Sequence, residues 1–98
     1  MSSFRYSSAA NANIENIILY LFDLNPVAAH HFLDRLEAAC KMLAGQPLIG
    51  KQRHDLAENL RSFAVGNYLI FYIQAPHGID IARVIYGGRD LPAIFRRP

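Results

Sequence analysis

Residues 60–72 read Leu-Arg-Ser-Phe-Ala-Val-Gly-Asn-Tyr-Leu-Ile-Phe-Tyr, and residues 79–90 read Ile-Asp-Ile-Ala-Arg-Val-Ile-Tyr-Gly-Gly-Arg-Asp. Gly66 and Asn67 separate two apolar runs and are typical of a two-residue hairpin turn, in which the glycine adopts a positive φ. Residues 75–78 (Ala-Pro-His-Gly) predict a second turn. Residues 79–86 are largely apolar on both faces, so we expect this strand to be central. The stretch therefore predicts a meander of three antiparallel strands.

The residues before this meander predict a short strand and a first helix. Residues 4–6 (Phe-Arg-Tyr) alternate between apolar and polar and favour a short edge strand, and Ser7 and Ser8 are N-cap candidates. A helix ending near Leu24 is predicted by four aliphatic residues at the i, i+3, i+4, i+7 spacing: Ile14, Ile17, Ile18 and Leu21.

A second helix begins at Asn25-Pro26, because asparagine caps free N–H groups and proline is tolerated at the first helical position. It runs to about Ala44, and Gly45 predicts a left-handed cap. Its predicted buried stripe consists of Ala29, Phe32, Leu33, Leu36, Cys40 and Leu43. Residues 46–59 show no clear period and predict a surface loop. We therefore expect residues 1–98 to form one α+β domain: a short N-terminal strand, then a helical hairpin packed on an antiparallel sheet that ends in the meander.

Composition favours a cytoplasmic protein. Among its 98 residues Cys40 is the only cysteine, which excludes an internal disulfide and suits a reducing compartment. The cysteine lies on the apolar side of the second predicted helix, so we expect a small buried hydrophobe rather than a nucleophile. No apolar run is long enough to span a membrane, and the N-terminus lacks the apolar segment of a signal peptide.

Charge is unevenly distributed along the chain. Residues 1–50 carry three basic and four acidic side chains, whereas residues 51–98 carry seven basic and four acidic ones. Two interpretations of the C-terminal arginines remain open. They either bind an anionic partner or form a solvated face. For Arg83, flanked by apolar residues, we favour an ion pair with Asp80 or Asp90.

The histidines and glycines do not predict a metal or cofactor site. His30 and His31 are adjacent on a helix and point about 100° apart, while His54 and His77 stand alone in loops. The Gly87-Gly88 pair lacks the remaining spacing of a nucleotide-binding loop. We therefore predict no metal, no cofactor and no catalytic residue.

The chain resembles the ParE branch of the RelE/ParE toxin superfamily, the toxins of type II toxin–antitoxin or plasmid-stabilisation modules. The resemblance covers nearly the whole chain and rests on three segments, which are Gly50-x-x-Arg53-x-Asp55-Leu56, the run Leu60-Arg61-Ser62-Phe63-x-Val65-Gly66-x-Tyr68-Leu69-Ile70-Phe71-Tyr72, and Arg83-Val84-x-x-Gly87-x-Arg89-Asp90. One departure is Tyr86, where many relatives have histidine.

The resemblance implies a choice between two activities on one fold. Members similar to RelE cut messenger RNA on the ribosome, whereas members similar to ParE inhibit DNA gyrase and block replication. RNA cleavage needs several cations and a group that handles the 2′-hydroxyl proton. At the positions where the cutting relatives have lysines, an arginine and the C-terminal tyrosine, this chain has Ala57, Asn59, Leu69 and Phe95. Only Arg89 matches, so the resemblance favours a non-enzymatic gyrase inhibitor.

The resemblance also implies a cognate antitoxin as a partner, in a hetero-oligomer, and direct nucleic-acid binding is not expected. The residues that we predict to contact the target or the antitoxin are Arg61, Tyr86, Arg89, Asp90, Phe95, Arg96 and Arg97. Two alternatives remain open. One is an RNA-cleaving toxin with a site built from Arg61, Arg89 and His54, and the other is a non-toxic relative that binds an antitoxin.

Overall fold

A five-stranded sheet with two helices on one face forms the architecture of the protein. The computed structural model describes residues 2–88 and 91–95. Along the chain the elements are β1 (Ser3–Tyr6), α1 (Ser8–Leu24), α2 (Pro26–Gly45), β2 (Lys51–Gln52), β3 (Arg61–Val65), β4 (Tyr68–Ala75), β5 (Gly78–Tyr86) and α3 (Leu91–Phe95). The α+β class, the N-terminal strand, the helical hairpin and the three-strand meander are therefore confirmed.

The strands follow the order β1-β5-β4-β3-β2, so β1 is an edge strand, as predicted, and β5 lies between β1 and β4 while β4 is the middle strand. β1 pairs with β5 in parallel, while the remaining pairs are antiparallel. The long connection through the two helices permits this parallel pairing, which a tight hairpin does not. Gly78 has a φ of +142°, and a Cβ there would collide with the backbone of Ser3, so glycine is required where β1 and β5 begin to pair.

Both predicted helix starts are confirmed by their caps. The Ser7 hydroxyl accepts a hydrogen bond from the Ala10 N–H at 3.0 Å, which satisfies a free donor in the first turn of α1. The Asn25 side-chain oxygen accepts from the Val27 N–H at 3.0 Å, and Pro26 is the first residue of α2. Asn25 therefore ends α1 and begins α2, and it divides a long, largely apolar segment into two helices.

The end of α2 differs from the sequence prediction. Gly45 is the last helical residue and lacks a positive φ, and Gln46 forms the cap with φ −139° and ψ 67°. A left-handed glycine is not needed because the Gln46 N–H donates to the carbonyls of Met42 and Leu43. The predicted buried stripe is otherwise correct, except that Leu33 is exposed and Ala44 is buried.

The two faces of the sheet carry separate apolar clusters. The helix face, which α1 and α2 cover, holds the larger one. Its most deeply buried members include Ala10, Leu36, Cys40, Leu43, Ile70, Tyr72, Ile79, Ile81 and Val84. The opposite, far face holds the far-face cluster, in which Leu60, Phe71 and Ile85 are buried beneath residues of α3. Because both faces are covered, β4 and β5 are apolar on both sides.

A β-bulge in β5 changes which side chains face the helices. Phe71 pairs with Arg83 and Tyr72 with Ile81, so Ala82 is the additional residue. Strict alternation from Ile81 would place Val84 on the far face, yet Val84 packs in the helix-face cluster. The strict alternation of side chains between the two faces, which an unbroken strand over residues 79–86 would have, therefore ends at Ile81. Beyond that residue the bulge shifts the alternation by one position.

The loop before β2 is fixed by two side chains of the sheet. The Tyr72 hydroxyl donates to the Pro47 carbonyl at 2.8 Å and accepts from the Gly50 N–H at 2.9 Å. Arg61 donates from Nη1 to the carbonyls of Leu48 at 3.1 Å and Gly50 at 2.7 Å. This clamp leads the chain into β2, a two-residue strand inside the predicted surface loop of residues 46–59. The strand is too short to leave a periodic signal in the sequence.

We expect Tyr72→Phe to lower the free energy of unfolding by about 1–3 kcal/mol, because the Gly50 N–H and the Pro47 carbonyl lose their buried partner. Urea denaturation followed by circular dichroism measures the change. The control is Tyr86→Phe, whose side chain is exposed and whose substitution should change stability by less than about 0.5 kcal/mol. Equal stability of the two variants would contradict this role of the Tyr72 hydroxyl.

Candidate binding groove between helix 1 and strand 5

The second half of β5 has an open edge. β1 pairs only with residues 78–81, so within the described part of the chain residues 82–86 have a strand neighbour only on the β4 side. α1 begins directly after β1 and passes beside this edge. The Ser7 hydroxyl donates to the Ala82 carbonyl at 2.8 Å, and the Asn13 side-chain oxygen accepts from the Val84 N–H at 3.2 Å. The side chains of Ser7 and Asn13 thus form hydrogen bonds that a further strand would otherwise form at this edge.

A groove of about 480 Å³ lies where α1 and the open edge meet. We call it the α1–β5 groove. It is lined by Asn13, Asn16, Ile17, Tyr20, Tyr68, Arg83, Val84, Ile85, Tyr86 and Ile94. Four of these residues lie on α1, namely Asn13, Asn16, Ile17 and Tyr20. Their spacings of three, four and seven place them on one face of the helix. The groove therefore combines one face of a helix with an unpaired strand edge.

Three tyrosines make one end of the groove aromatic. The rings of Tyr68 and Tyr86 meet edge to face with centroids 5.9 Å apart, and Tyr68 also packs on Phe32 at 5.1 Å. Burial raises the pKa of Tyr68, and the neighbouring hydroxyls of Tyr20 and Tyr86 add to the effect. Tyr20 and Tyr86 remain 61% and 51% exposed. The groove thus offers apolar ring surface and uncharged hydroxyls to a partner.

Among the described residues, Arg83 is the only charged side chain in the lining, and it is half-buried. Among residues 2–88 and 91–95 it forms no ion pair, and the predicted pairing with Asp80 is wrong because Asp80 pairs with His77 at 2.8 Å. The other predicted partner, Asp90, lies outside the described residues. A partner that places a carboxylate in the groove would therefore meet an available guanidinium.

Exposed apolar residues continue from the groove over the tip of the helical hairpin. Leu24 follows Tyr20 by one turn and is 66% exposed, and Leu19, Phe22 and Val27 are more than half exposed. Large exposed apolar side chains gathered in one region mark an interaction surface more often than scattered ones do. Leu24 shares the helical face of Tyr20 and extends the apolar lining of the groove by one turn, whereas Leu19 and Phe22 lie on other faces of α1.

The structure separates the residues predicted to bind a partner. Tyr86 lines the α1–β5 groove, whereas Arg61 clamps the loop before β2. The Phe95 ring packs on the Phe71 ring in the far-face cluster, with centroids 4.8 Å apart. The remaining predicted residues, Arg89, Asp90, Arg96 and Arg97, lie outside the described residues.

Sequence reasoning missed Asn13, Tyr20 and Arg83 as groove residues. The signal for the first two is their spacing of seven on α1, with Asn16 and Ile17 between them on the same face. Arg83 is a groove residue because the second half of β5 has an open edge, and that edge is open because β1 is short. That length is not readable from the alternation of residues 4–6 alone.

Two of the four residues that the resemblance aligns with functional residues of the cutting relatives lie in the far-face cluster. Leu69 and Phe95 belong to this apolar cluster. Arg53 lies close to this cluster, with its guanidinium carbon 5.6 Å from the centre of the Phe71 ring. Its Nε and Nη2 donate to the two carboxylate oxygens of Asp55 at 3.1 and 3.0 Å. This pairing lowers the pKa of Asp55 and occupies the guanidinium.

Comparison with known proteins identifies the family. A profile described as the ParE toxin of the type II toxin–antitoxin system, parDE, matches residues 4–91. The chain belongs to the ParE toxin family. The match spans β1 through the first residue of α3, so it includes both the helical hairpin and the meander of this ParE-family protein.

A solved structure supports the fold of this ParE-family protein. The chromosomal ParDE TA system from P. aeruginosa contains a chain that superimposes with a TM-score of 0.73 at 18% sequence identity. The similarity covers 88% of this chain and 96% of that chain. No curated protein matches this sequence significantly.

Two features are absent from the described residues of this ParE-family protein. No helix is long and apolar enough to cross a membrane. No group of three or more histidine, cysteine, aspartate or glutamate side chains lies close enough together to hold a metal ion.

Cys40 is buried, as the sequence predicts, and is held in its protonated form. The Tyr6 hydroxyl donates to its Sγ at 3.8 Å, which ties β1 to α2. Burial raises the pKa of the Cys40 thiol to about 11 from an ordinary value of 9.0, and the nearby Glu37 adds to the effect. Burial also raises the pKa of Tyr6. A thiolate nucleophile is therefore disfavoured at neutral pH.

We expect alkaline pH to destabilise the protein through Cys40. Because the folded pKa is raised, the contribution of the thiol is complete below pH 9 and is lost as the pH rises through about 11. The loss is on the order of 2 kcal/mol. Urea denaturation between pH 8 and 11 measures it, and Cys40→Ala should show a shallower decline. An equal decline in both proteins would contradict the assignment to this thiol.

Proposed function

We propose that this ParE-family protein is a non-enzymatic toxin that inhibits DNA gyrase and is neutralised by a cognate antitoxin. Membership of a family of type II toxins supports the toxin role and implies a protein antitoxin. The choice of gyrase rests on the likeness to the ParE branch. The choice of a binding role over a catalytic one rests on the residues themselves.

The far-face cluster is the observation that carries the non-enzymatic proposal. A phosphodiester in its transition state needs fixed cations near its developing charge. Here that surface is occupied by Leu69, Phe71 and Phe95, and Arg53 is already paired with Asp55. Ala57 and Asn59, at the positions of the relatives' lysines, carry no charge. Apolar packing of this kind stabilises the sheet and disfavours a phosphate.

Two of the three residues of the alternative RNA-cleaving site, His54 and Arg61, line one groove, but both are engaged in local hydrogen bonds. Arg61 pairs with Tyr72, which belongs to the helix-face cluster, and its Nη1 is held by two loop carbonyls. His54 bonds to Gln52 through Nε2 at 3.2 Å. Both groups therefore already take part in local contacts around β2, which disfavours a catalytic role for them.

The α1–β5 groove and the hairpin tip are the surface that we assign to the antitoxin. An amphipathic helix would pack its apolar side on the exposed residues of α1, and an extended segment would add backbone hydrogen bonds along the open edge of β5. An acidic side chain of that segment would pair with Arg83. The antitoxin would thus bind through apolar packing, strand addition and one charge pair.

We expect the purified protein to inhibit plasmid supercoiling by DNA gyrase and to leave messenger RNA intact in a ribosome-driven translation reaction analysed by primer extension. Arg89→Ala should relieve the inhibition of supercoiling with an unchanged circular dichroism spectrum. Cleavage at codons together with normal supercoiling would overturn the proposal and favour the RNA-cleaving alternative. Inactivity in both reactions would instead favour a non-toxic relative.

We expect Tyr20→Asp to weaken binding of the antitoxin encoded beside this protein by about tenfold or more, because the substitution puts a charge into an apolar contact. Isothermal titration calorimetry measures the affinity. The matched control is Ile49→Asp, since Ile49 is 51% exposed and does not line the α1–β5 groove, whereas Tyr20 is 61% exposed and does. Equal affinities of the two variants would exclude the α1–β5 groove as the antitoxin site.

A further inference from the structure

A second groove, at the diagonally opposite corner of the β4–β5 pair, has the features of a peptide-binding site. β4 runs past the start of β3, because Arg61 pairs with Tyr72 and residues 73–75 have a strand neighbour only on the β5 side within the described chain. The groove there measures about 480 Å³, and we call it the β3–β4 groove. Leu48, Arg61, Ile73 and Gln74 are among its lining residues.

The backbone of Gln74 faces this groove. Residues that flank a two-residue hairpin turn exchange both backbone hydrogen bonds, and the pattern then repeats at every second residue. Tyr68, Ile70 and Tyr72 therefore direct their N–H and C=O groups to β3, and Gln74 is the next residue in this series. The chain before β3 turns away, since the Leu60 carbonyl accepts from the Arg53 N–H at 2.8 Å. An extended segment can thus pair with Gln74.

Arg61 supplies a fixed cation in the β3–β4 groove. Its Nη1 is held by the carbonyls of Leu48 and Gly50 at 3.1 and 2.7 Å, so the guanidinium has little freedom to move. Its Nε and Nη2 form no hydrogen bond with any described residue. These two nitrogens make up one side of the guanidinium, which binds a carboxylate with two parallel hydrogen bonds. Because the side chain is half-buried, water screens such a pair less than on an open surface.

Charge and hydropathy in the groove fit one kind of occupant. Within the described part of the chain no acidic residue lines the groove, whereas His54 and Arg61 do, so none of the lining side chains repels a carboxylate. Leu48 and Ile73 are 64% and 39% exposed there and offer apolar contacts on either side. A nucleic acid needs several cations for successive phosphates, and the lining has one arginine. The surroundings of Arg61 therefore favour a peptide.

We infer that the β3–β4 groove binds an extended segment of a partner protein, with one acidic side chain paired to Arg61 and its backbone paired to Gln74. Aliphatic side chains next to the acidic one would contact Leu48 and Ile73. The inference does not depend on gyrase or on the antitoxin, because this groove shares no residue with the α1–β5 groove.

The test uses a capped peptide of sequence threonine-valine-glutamate-valine-threonine and its counterpart with glutamine in place of glutamate. Titration into the isotopically labelled protein, followed by amide chemical shifts, should move the Gln74 resonance and the Arg61 Nε resonance. The glutamine peptide should bind at least about tenfold more weakly, because the charge-assisted pair is lost. Equal binding of the two peptides would overturn the inference, as would shifts confined to Tyr20 and Tyr86.

Two variants check the assignment of the site. Leu48→Asp should abolish binding of the glutamate peptide by repulsion, whereas Leu19→Asp, the matched control on α1, should leave it unchanged; the wild-type residues are 64% and 59% exposed. Arg61→Lys should weaken binding about tenfold, because lysine cannot form the two parallel hydrogen bonds. Full binding by Leu48→Asp, or the same resonances moving more strongly with a single-stranded oligonucleotide, would overturn the inference.

Discussion

Ser7 makes the contacts on which the arrangement of this molecule depends. Its backbone N–H donates to the Ile81 carbonyl, its hydroxyl donates to the Ala82 carbonyl, and the same oxygen caps the first turn of α1. The last strand pairing of β1 and the start of α1 therefore occur at one residue. Because the helix begins there, β1 cannot extend along the rest of β5, and the open edge of the α1–β5 groove follows directly.

The bulge at Ala82 lies at the same point and determines what each face of the sheet carries. Without the extra residue, Val84 would leave the helix-face cluster and Ile85 would leave the far-face cluster. The bulge keeps an aliphatic residue on each face where the sheet is covered on both sides. It also brings Arg83 to the edge of the groove rather than into either cluster. Bulges often redirect side chains in this way next to functional sites.

Local signals in the sequence predict most of the fold but little of the binding surface. Asn25-Pro26 and Gly66-Asn67 are predictable because the cap and the turn need those residue types at those positions. The register of β1, the bulge at Ala82 and the two-residue β2 depend on contacts between distant segments, which leave no periodic trace. The pairing of Arg83 with Asp80 was mispredicted for the same reason, since His77 reaches Asp80 across the turn before β5.

The two grooves each contain a half-buried arginine, and this common feature favours acidic partners in a protein of low net charge. The formal net charge is only +2, so long-range attraction is slight, and salt screens charges beyond about 10 Å. As far as the described residues go, each groove instead contains one half-buried arginine and no acidic residue. When a carboxylate enters such a groove, little water remains between it and the guanidinium. The ion pair is therefore stronger than one on an open surface. Because the grooves lie at opposite corners of the β4–β5 pair, a partner in one leaves the other accessible.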